Sequence, residues 1–180
     1  MKLATLEDGI THAKYLLRYP QVDNSYIIHP LPAVNYGSAK DINFDYCIEK
    51  GLYTCFINRL GGTFVFNTGD LTYLHVGKDD RFNIKMSHFL CKKLQSLGID
   101  AEEKDNDVLI NGYKFMGQAQ LSLPDGYTMY FGSITINENL DLINNICLKP
   151  MVKVPRGLSY EGINSELVEK WYLEFVFYFK

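Results

Sequence analysis

The 180-residue sequence predicts an α/β (α+β) fold, in which a mixed, mostly antiparallel sheet is packed with helices. Apolar residues recur with a helical period in several segments, which indicates helices with one buried face. Aromatic and β-branched runs separated by glycines fill the middle of the chain, as is typical of strands joined by tight turns. The two kinds of segment do not alternate regularly, so a parallel sheet with crossover helices is not expected.

Five segments are predicted to be helices: residues 5–19, 43–50, 86–97, 140–147 and 165–179. Thr5 is a plausible N-cap of the first helix, which ends before Pro20. Gly51 and Gly98 follow the second and third helices, at the position where a left-handed glycine commonly ends a helix. The fifth segment closes with Phe-Val-Phe-Tyr-Phe, which fits a strand equally well, and periodicity leaves its type open.

Strands are predicted at residues 25–29, 53–58, 63–67, 71–76 and 127–137. The clearest local signal is a hairpin in which residues 108–110 are followed by Asn111-Gly112 and then by residues 113–116. Asn-Gly is the dipeptide that a type I′ turn prefers, because both central residues need a positive φ.

Composition and charge limit the possible functions. Hydrophobic residues make up 47% of the sequence and charged residues 22%, and no repeat or linker-like segment divides it, so we expect a single domain over residues 1–180 with no accessory domain. The net charge of −3 argues against nucleic acid as a partner, because affinity for a phosphate backbone is largely electrostatic. No apolar run approaches the roughly 18 residues of a transmembrane helix. A cytoplasmic protein with no membrane partner is therefore expected.

The four cysteines stand far apart, without CxxC spacing: Cys47, Cys55, Cys91 and Cys147. A domain of this size does not need disulfides, so we expect reduced thiols, and the spacing indicates no structural zinc site. Cys147 is the one thiol in a segment that could border a site. Nothing beside it in the sequence lowers its pKa, which favours a buried, inert cysteine over a nucleophile.

The first candidate motif is the glycine-containing loop after the strand at residues 53–58. Arg59 could pair with a carboxylate or phosphate, and Gly61 and Gly62 would let the backbone approach a ligand closely. The alternative is a hairpin turn with an exposed arginine, and spacing alone favours that alternative.

The second candidate motif spans Asn106-Asp107 and the residues from Lys114 to Gln120. A carboxylate at a strand start can hold Mg²⁺ against phosphate oxygens, and a lysine on the returning strand could meet the same phosphate. Small residues at Gly117 and Ala119 would let a flat ligand lie on the sheet. An exposed turn aspartate with a surface lysine explains the pattern equally well.

The third candidate is Gly132-Ser133, inside the long predicted strand at residues 127–137. A glycine within a strand often marks a close approach of another group to the backbone. A β-bulge is the alternative explanation.

These fragments occur in the order, and at roughly the spacing, found in lipoate–protein ligases and their relatives, the octanoyl transferases and biotin–protein ligases. The likeness covers about residues 34–160. It is most specific at Asn106-Asp107 and at Lys114 to Gln120, which resemble the family's Asn-Asp and Lys-x-x-Gly-x-Ala-Gln signature.

The resemblance implies a class II synthetase/biotin-ligase-like catalytic domain and a role for each matching residue. Lys114 would be catalytic, binding the acyl carbonyl and the adenylate phosphate. Asn106 would contact the nucleotide and Asp107 would hold Mg²⁺. The substrate would be bound by residues of the glycine loop, of the lysine strand and of the strand after it: Arg59, Gly61, Gly62, Gly117, Gln118, Ala119, Gly132 and Ser133.

The implied activity is that of a ligase that activates lipoate, or octanoate or biotin, with ATP and Mg²⁺ and attaches it to a lysine of a lipoyl carrier domain. The sequence departs from the family in its histidines, since Phe66-Asn67 and Tyr130-Phe131 stand where histidines are usual. The alternative is a degenerate member that binds an acyl ligand or a carrier domain without catalysis. An octanoyl transferase or a biotin–protein ligase ranks after these two.

Overall fold

The computed structural model describes residues 2–3, 24–28, 33–56, 62–67, 69–79, 81–105, 107–151 and 153–178. Within them lie ten strands: β1 (Lys2–Leu3), β2 (Asn24–Ile28), β3 (Ala33–Tyr36), β4 (Tyr53–Phe56), β5 (Phe64–Phe66), β6 (Leu71–Gly77), β7 (Ala101–Lys104), β8 (Asp107–Ile110), β9 (Tyr113–Ser122) and β10 (Thr128–Ile134). The α-helices are α1 (Phe44–Glu49), α2 (Phe82–Ser96), α3 (Leu140–Ile146) and α4 (Ser165–Tyr178).

The described strands form two sheets. The larger has the order β1-β2-β6-β10-β9-β8-β7, and all of its pairs are antiparallel except β1 with β2. The smaller has the order β4-β3-β5, with β3 parallel to β4 and antiparallel to β5. The predicted fold class, a mixed and mostly antiparallel sheet packed with helices, is confirmed.

Helices α2 and α4 cover one face of the large sheet. In α4 the buried side chains are Val168, Trp171, Tyr172 and Phe175, which stand at positions i, i+3, i+4 and i+7 and so lie on one helical face. They pack with α2 and the sheet in the largest apolar cluster of the described residues. The burial of that stripe explains why the C-terminal segment is a helix and not a strand.

The small sheet covers the opposite face of the large sheet. Phe66 and Ala33 of the small sheet pack against residues of the large sheet such as Phe131 and Leu74. A third cluster, which includes Val34 and Ile146, joins the small sheet to α1 and α3. The protein is therefore layered as helices, large sheet, small sheet and helices, and a ligand can reach the space between the two sheets.

A buried carboxylate ties the start of β6 to the end of β10. Asp70 is 1% exposed, and its two oxygens accept hydrogen bonds from the backbone N–H groups of Asn67 (3.1 Å) and Ile136 (2.9 Å). Burial raises the pKa of this carboxyl to about 6, against the lowering effect of those hydrogen bonds.

Most element predictions agree with the structure. The hairpin is confirmed, with a positive φ at both Asn111 (51°) and Gly112 (79°). The strand predicted at residues 127–137 ends earlier, at Ile134, because the backbone N–H of Ile136 bonds to the Asp70 side chain and not to a neighbouring strand. β7 was not predicted, since it is a polar edge strand with three exposed residues. The predicted helix at residues 5–19 lies outside the described residues.

All four cysteines are free thiols, as predicted. Among the described helices, none is both long enough and apolar enough to cross a membrane.

Candidate active site

A cavity of about 280 Å³ lies between the two sheets, close to the volume at which ligand pockets begin. Its walls come from β5, β9, β10, the C-terminal end of α3 and the segment before residue 156. The side chains include apolar Phe64, Val65, Phe115, Ile143 and Met151, together with polar Thr63, Asn67, Lys114, Ser133, Thr135 and Lys153. The cavity therefore suits a ligand with an apolar part and an anionic or carbonyl-bearing end.

Lys114 lies on the wall of this cavity, with its side chain 32% exposed. Its backbone is fixed by residues 153–156, which we call the strap. The Lys114 N–H donates to the carbonyl of Val154 (2.9 Å), and its carbonyl accepts from the N–H of Arg156 (2.8 Å). The base of the lysine side chain is thus held by two backbone hydrogen bonds to the strap.

A β-bulge turns Lys114 toward the cavity. Leu109 pairs with Lys114 but Val108 pairs with Met116, so β9 carries one extra residue, Phe115, at this point. In a regular strand Lys114 and Gly117 would lie on opposite faces of the sheet. The bulge brings them to the same face, as bulges next to active sites often do.

Gly117 provides the space that the lysine side chain occupies. A Cβ atom added at Gly117 would lie 2.8 Å from Cε and 2.9 Å from Nζ of Lys114. Carbon atoms that are not bonded stay at least about 3.5 Å apart. Any larger residue at this position would displace the ammonium group.

Asp107 holds the ammonium group from the other side. Its Oδ1 forms an ion pair with Lys114 Nζ at 2.8 Å, and its Oδ2 accepts a hydrogen bond from Lys153 Nζ at 2.9 Å. The Asp107 side chain is only 14% exposed, so water screens these ion pairs less than it screens surface pairs. The hydrogen bond that Lys153 donates to Asp107 is the largest cause of the raised pKa of Lys153.

The resemblance implies Mg²⁺ at Asp107, and the local arrangement does not fit that ion. Both carboxylate oxygens are already engaged by ammonium groups, and a divalent cation placed there would have to displace two positive charges. The part of the chain that the structure describes contains no group of three or more His, Cys, Asp or Glu side chains able to hold a metal.

Of the five predicted substrate-binding residues on β9 and β10, two line the cavity, two lie on the opposite face of the sheet, and Ala119 is on the cavity face without lining the cavity. Gly117 and Ser133 are cross-strand partners on the cavity face. Gln118 and Gly132, also cross-strand partners, lie on the opposite face, because successive residues of a strand alternate between faces. The expectation that Gln118 floors the pocket with Gly117 is therefore wrong.

Gln118 and Gly132 belong instead to the packing of α2 on the large sheet. The hydroxyl of Tyr73 donates to Gln118 Oε1 (2.5 Å), and Gln118 Nε2 donates to Ser87 Oγ (2.5 Å) on α2. A Cβ at Gly132 would lie 2.2–2.3 Å from the ring and hydroxyl of Tyr73. Gly132 does mark a close approach, as its position in a strand predicted, but the approaching group is a core tyrosine and not a ligand.

The other predicted residues are placed as follows. Gly62 lines the cavity, where a Cβ would meet no atom of the described residues within 4 Å. Ala119 is on the cavity face of β9, but it packs into the apolar cluster between the two sheets and does not line the cavity. Arg59, Gly61 and Asn106 lie outside the described residues.

Cys147 lines the same cavity as Lys114. Burial is the main cause that raises the pKa of this thiol, and Cys47 raises it further. The thiol is therefore protonated at neutral pH, in agreement with the weak nucleophile expected from the sequence, and it borders the cavity, as its place in the sequence allowed.

A second, wider depression of about 590 Å³ meets the cavity at Asn67. It is lined by the amides of Asn137 and Asn139 and by the carboxylates of Glu138 and Asp141. The carboxylates repel phosphate, so of these two adjoining spaces the one with Lys114 and Lys153 suits an anion.

Lys153 is the charged residue of the cavity wall that sequence reasoning missed. It lies between Pro150 and Pro155, and no periodicity or motif there indicates a site. Only the backbone pairing of the strap with Lys114 brings it to the cavity. The two prolines were the available signal, since they favour an extended segment that can lie along a strand.

Comparisons with known proteins agree with this architecture. LipL1 from P. falciparum, crystallised with lipoate, has a similar structure, with 14% identity and a TM-score of 0.79. The match spans 97% of this chain and 58% of LipL1. The bipartite lipoate protein ligase of Thermoplasma acidophilum, which was analysed together with its E2 lipoyl domain, matches at 17% identity and a TM-score of 0.77. This match spans 97% of this chain and 79% of that one. Lipoate-protein ligase A bound with ATP matches at 18% identity and a TM-score of 0.73, over 95% of this chain and 79% of that one.

The biotin protein ligase of Aquifex aeolicus has a related fold, with 11% identity, a TM-score of 0.51 and coverage of 89% of this chain and 60% of that one. The fold is thus that of lipoate and biotin ligase catalytic domains, as the resemblance implied. No curated protein matches the sequence at a significant level. The family model described as the lipoyl protein ligase A/B catalytic domain matches residues 31–168, which is most of the sequence, and the chain therefore belongs to that family.

Proposed function

We propose that this protein activates lipoate, or a related acid, with ATP and transfers the acyl group to a lysine of a lipoyl carrier domain. The observation that carries the proposal is the ammonium group of Lys114, which is fixed on the wall of a cavity by Asp107, Gly117 and the strap. Structural neighbours crystallised with lipoate and with ATP, and one described with its E2 lipoyl domain, support this choice of ligands and partner.

The reaction has two steps. The carboxylate of the acid attacks the α-phosphorus of ATP, which gives an acyl-adenylate and releases pyrophosphate. The ε-amine of the carrier lysine then attacks the acyl carbonyl carbon, the bond to the adenylate oxygen breaks, AMP leaves, and the amine loses a proton. Both steps place negative charge on oxygen atoms, at the carbonyl and at the phosphate.

Lys114 serves both steps as a fixed positive charge. Its ammonium group would donate to the carbonyl oxygen, polarise it and offset the charge that develops as the amine attacks. A lysine side chain has four rotatable bonds and loses considerable entropy when it is held. The contacts with Asp107 and Gly117 already restrict the side chain before the substrate binds, so less entropy is lost on binding.

The apolar wall supports an acyl chain as the other part of the substrate. Phe64, Ile143 and Met151 would contact the chain, and Ser133 would lie near its carbonyl end, opposite Gly117. Gly62 would let the β5 side of the cavity approach the ligand. Arg59, Gly61 and Asn106 remain proposed contacts, with the acyl chain for the first two and the nucleotide for the third.

The decisive experiment is acylation of an apo carrier domain. The protein is incubated with ATP, Mg²⁺, a carrier domain and lipoate, octanoate or biotin, and the carrier is weighed by intact-mass spectrometry. We expect a mass increase equal to one acyl group with at least one acid, and none with Lys114→Ala. Lys149→Ala, a change at a lysine that is 69% exposed and paired with Asp41, should retain full transfer.

The same experiment separates the enzyme from a binding protein. If no acid is transferred but the carrier or the acid still binds, the protein is the non-catalytic family member. If Lys114→Ala transfers as fast as the wild type, the role proposed for the lysine is wrong.

A second candidate function is acyl transfer through Cys147, which the position of this thiol on the cavity wall favours. The thiol would attack an acyl thioester donor, form an acyl-cysteine and release the donor thiol. Its pKa is raised, so the attack needs a base to take the proton. A thioester adduct on Cys147, detected by mass without ATP and lost in Cys147→Ser, would support this function over the ATP-dependent one.

A further inference from the structure

Two ammonium groups share one carboxylate on the wall of the cavity. Lys114 Nζ lies 2.8 Å from Oδ1 of Asp107, and Lys153 Nζ lies 2.9 Å from Oδ2. Two positive charges and one negative charge leave this trio at +1. A cavity wall with a surplus positive charge favours an anionic ligand.

The Lys153 ammonium group is held in place at the cavity. It also donates to the backbone carbonyl of Lys104 (3.3 Å), and its side chain is only 21% exposed. Asp105 adds a weaker contact at 3.4 Å from a side chain that is 76% exposed, where water screens the pair.

We propose that Lys153 is a second phosphate-binding residue of this site, which holds the phosphate of the acyl-adenylate while Lys114 addresses the acyl carbonyl. The proposal rests on the proposed function and deepens it. Before the phosphate binds, Asp107 keeps the ammonium groups of Lys114 and Lys153 apart and oriented. When the phosphate enters, Lys153 exchanges part of its contact with Asp107 for a phosphate oxygen.

This assignment gives Asp107 a different role from the one implied by the family resemblance. The carboxylate positions two lysines, and the charge next to it is an ammonium group where Mg²⁺ was expected. Lys153 carries a positive charge at neutral pH, as lysines ordinarily do, and its hydrogen bond to Asp107 raises its pKa further. An ammonium group can meet a phosphate oxygen directly, because it is a compact positive charge with three hydrogen-bond donors.

The test compares the binding of AMP and adenosine, which differ by the phosphate, by isothermal titration calorimetry in EDTA and in Mg²⁺. Lys153→Ala should weaken AMP binding by about tenfold, the loss of one charge-assisted hydrogen bond. Adenosine binding should not change. Lys153→Arg should retain most of the AMP affinity, and Lys149→Ala, four residues earlier, should retain all of it.

Three results would overturn the proposal: equal AMP affinity in Lys153→Ala and the wild type, equal losses for AMP and adenosine, or wild-type AMP binding that disappears in EDTA. The third result would indicate that a metal ion bound by Asp107, and not Lys153, holds the phosphate. Failure of carrier acylation leaves these binding results untouched, so the proposed function and the role of Lys153 fail independently.

A second measurement uses only the wild-type protein. Reductive methylation with formaldehyde, followed by peptide mass spectrometry, reports how accessible each lysine amine is. AMP should protect Lys153 and leave Lys149 reactive, while adenosine protects neither. Equal labelling of Lys153 with and without AMP contradicts the proposal even if the alanine variant fails to fold.

Discussion

The replacement Gly117→Ala tests whether the position of the Lys114 ammonium group, and not its charge alone, determines activity. The added methyl carbon would lie 2.8 Å from Lys114 Cε and 2.9 Å from Nζ, while Phe64 at 3.7 Å is in ordinary contact. To restore a normal separation of about 3.5 Å, the end of the lysine side chain must move by about 0.7 Å or more. That movement disrupts the 2.8 Å contact with Asp107.

The expected loss of activity is large because the misplaced group is the one that stabilises charge. Displacing a positioned group by about 1 Å can cost on the order of 100-fold in rate, and removing a single stabilising donor costs about 10²–10³-fold. We therefore expect the rate of carrier acylation to fall by about 100-fold in Gly117→Ala.

The stability of the fold should change little. The atoms in the way belong to the far end of a flexible side chain, which can turn into the cavity or toward water. Alanine also restricts the unfolded backbone, which contributes roughly 0.5–1 kcal/mol in favour of the folded state. The free energy of unfolding, measured by urea denaturation, should remain within about 1 kcal/mol of the wild type.

Gly62→Ala is the matched comparison, since it adds the same methyl group to the same cavity at a point where no atom of the described residues lies within 4 Å. It leaves the Lys114 ammonium group in place, so a weaker fit of the acid raises KM while the rate of acylation at saturating acid stays close to that of the wild type. A Gly117→Ala variant that is fully active at saturating acid, or a Gly62→Ala variant that is equally impaired there, would refute the reasoning from the position of the lysine.

Two further predictions concern the core. Gly132→Ala should destabilise the fold by about 3 kcal/mol or more, because the added methyl group would lie 2.2 Å from the fully buried ring of Tyr73. This is the upper end of the roughly 1–3 kcal/mol that overpacking of a core costs. A loss of stability below about 1 kcal/mol in urea denaturation would contradict this prediction. Burial raises the pKa of Asp70 to about 6, so the folded protein binds a proton at this carboxyl more tightly than the unfolded chain does. The stabilisation that results from this tighter binding is present at low pH and is lost as the pH rises from about 4 to 6. The free energy of unfolding of the wild type relative to Asp70→Asn should therefore fall by about 2.4 kcal/mol between pH 4 and pH 7, most of the roughly 3 kcal/mol that the whole shift represents, and a constant difference would disprove the shift.

The sequence predicts the elements whose signals are local. Asn111-Gly112 specifies its turn through backbone conformation alone, and the helix that ends at Gly98 shows its buried face in the spacing of its apolar residues. The ending of α4 could not be decided in this way. Trp171 and Phe175 are as compatible with a strand as with a helix, and their burial against α2 and the large sheet, a tertiary contact, selects the helix.

The candidate site is predicted only in part, for the same physical reason. Lys114, Gly117 and Asp107 are close in the sequence, and a hairpin brings them together. Lys153 comes from a segment 39 positions after Lys114 and reaches the site through backbone hydrogen bonds of the strap, which no side-chain pattern encodes. Gln118 is adjacent to Gly117 in the motif but lies on the other face of β9, because neighbouring residues of a strand point in opposite directions.

The bulge at Phe115 explains why a lysine and a glycine three residues apart act together. Regular alternation would point Lys114 toward the helix-covered face, where Gln118 meets α2. The extra residue reverses the direction of the lysine relative to the rest of β9, so that its side chain crosses over Gly117 and reaches Asp107. The Lys-x-x-Gly spacing is therefore a consequence of strand geometry. The glycine makes room for the lysine, the bulge aims it, and the carboxylate fixes its charge where an acyl carbonyl would enter.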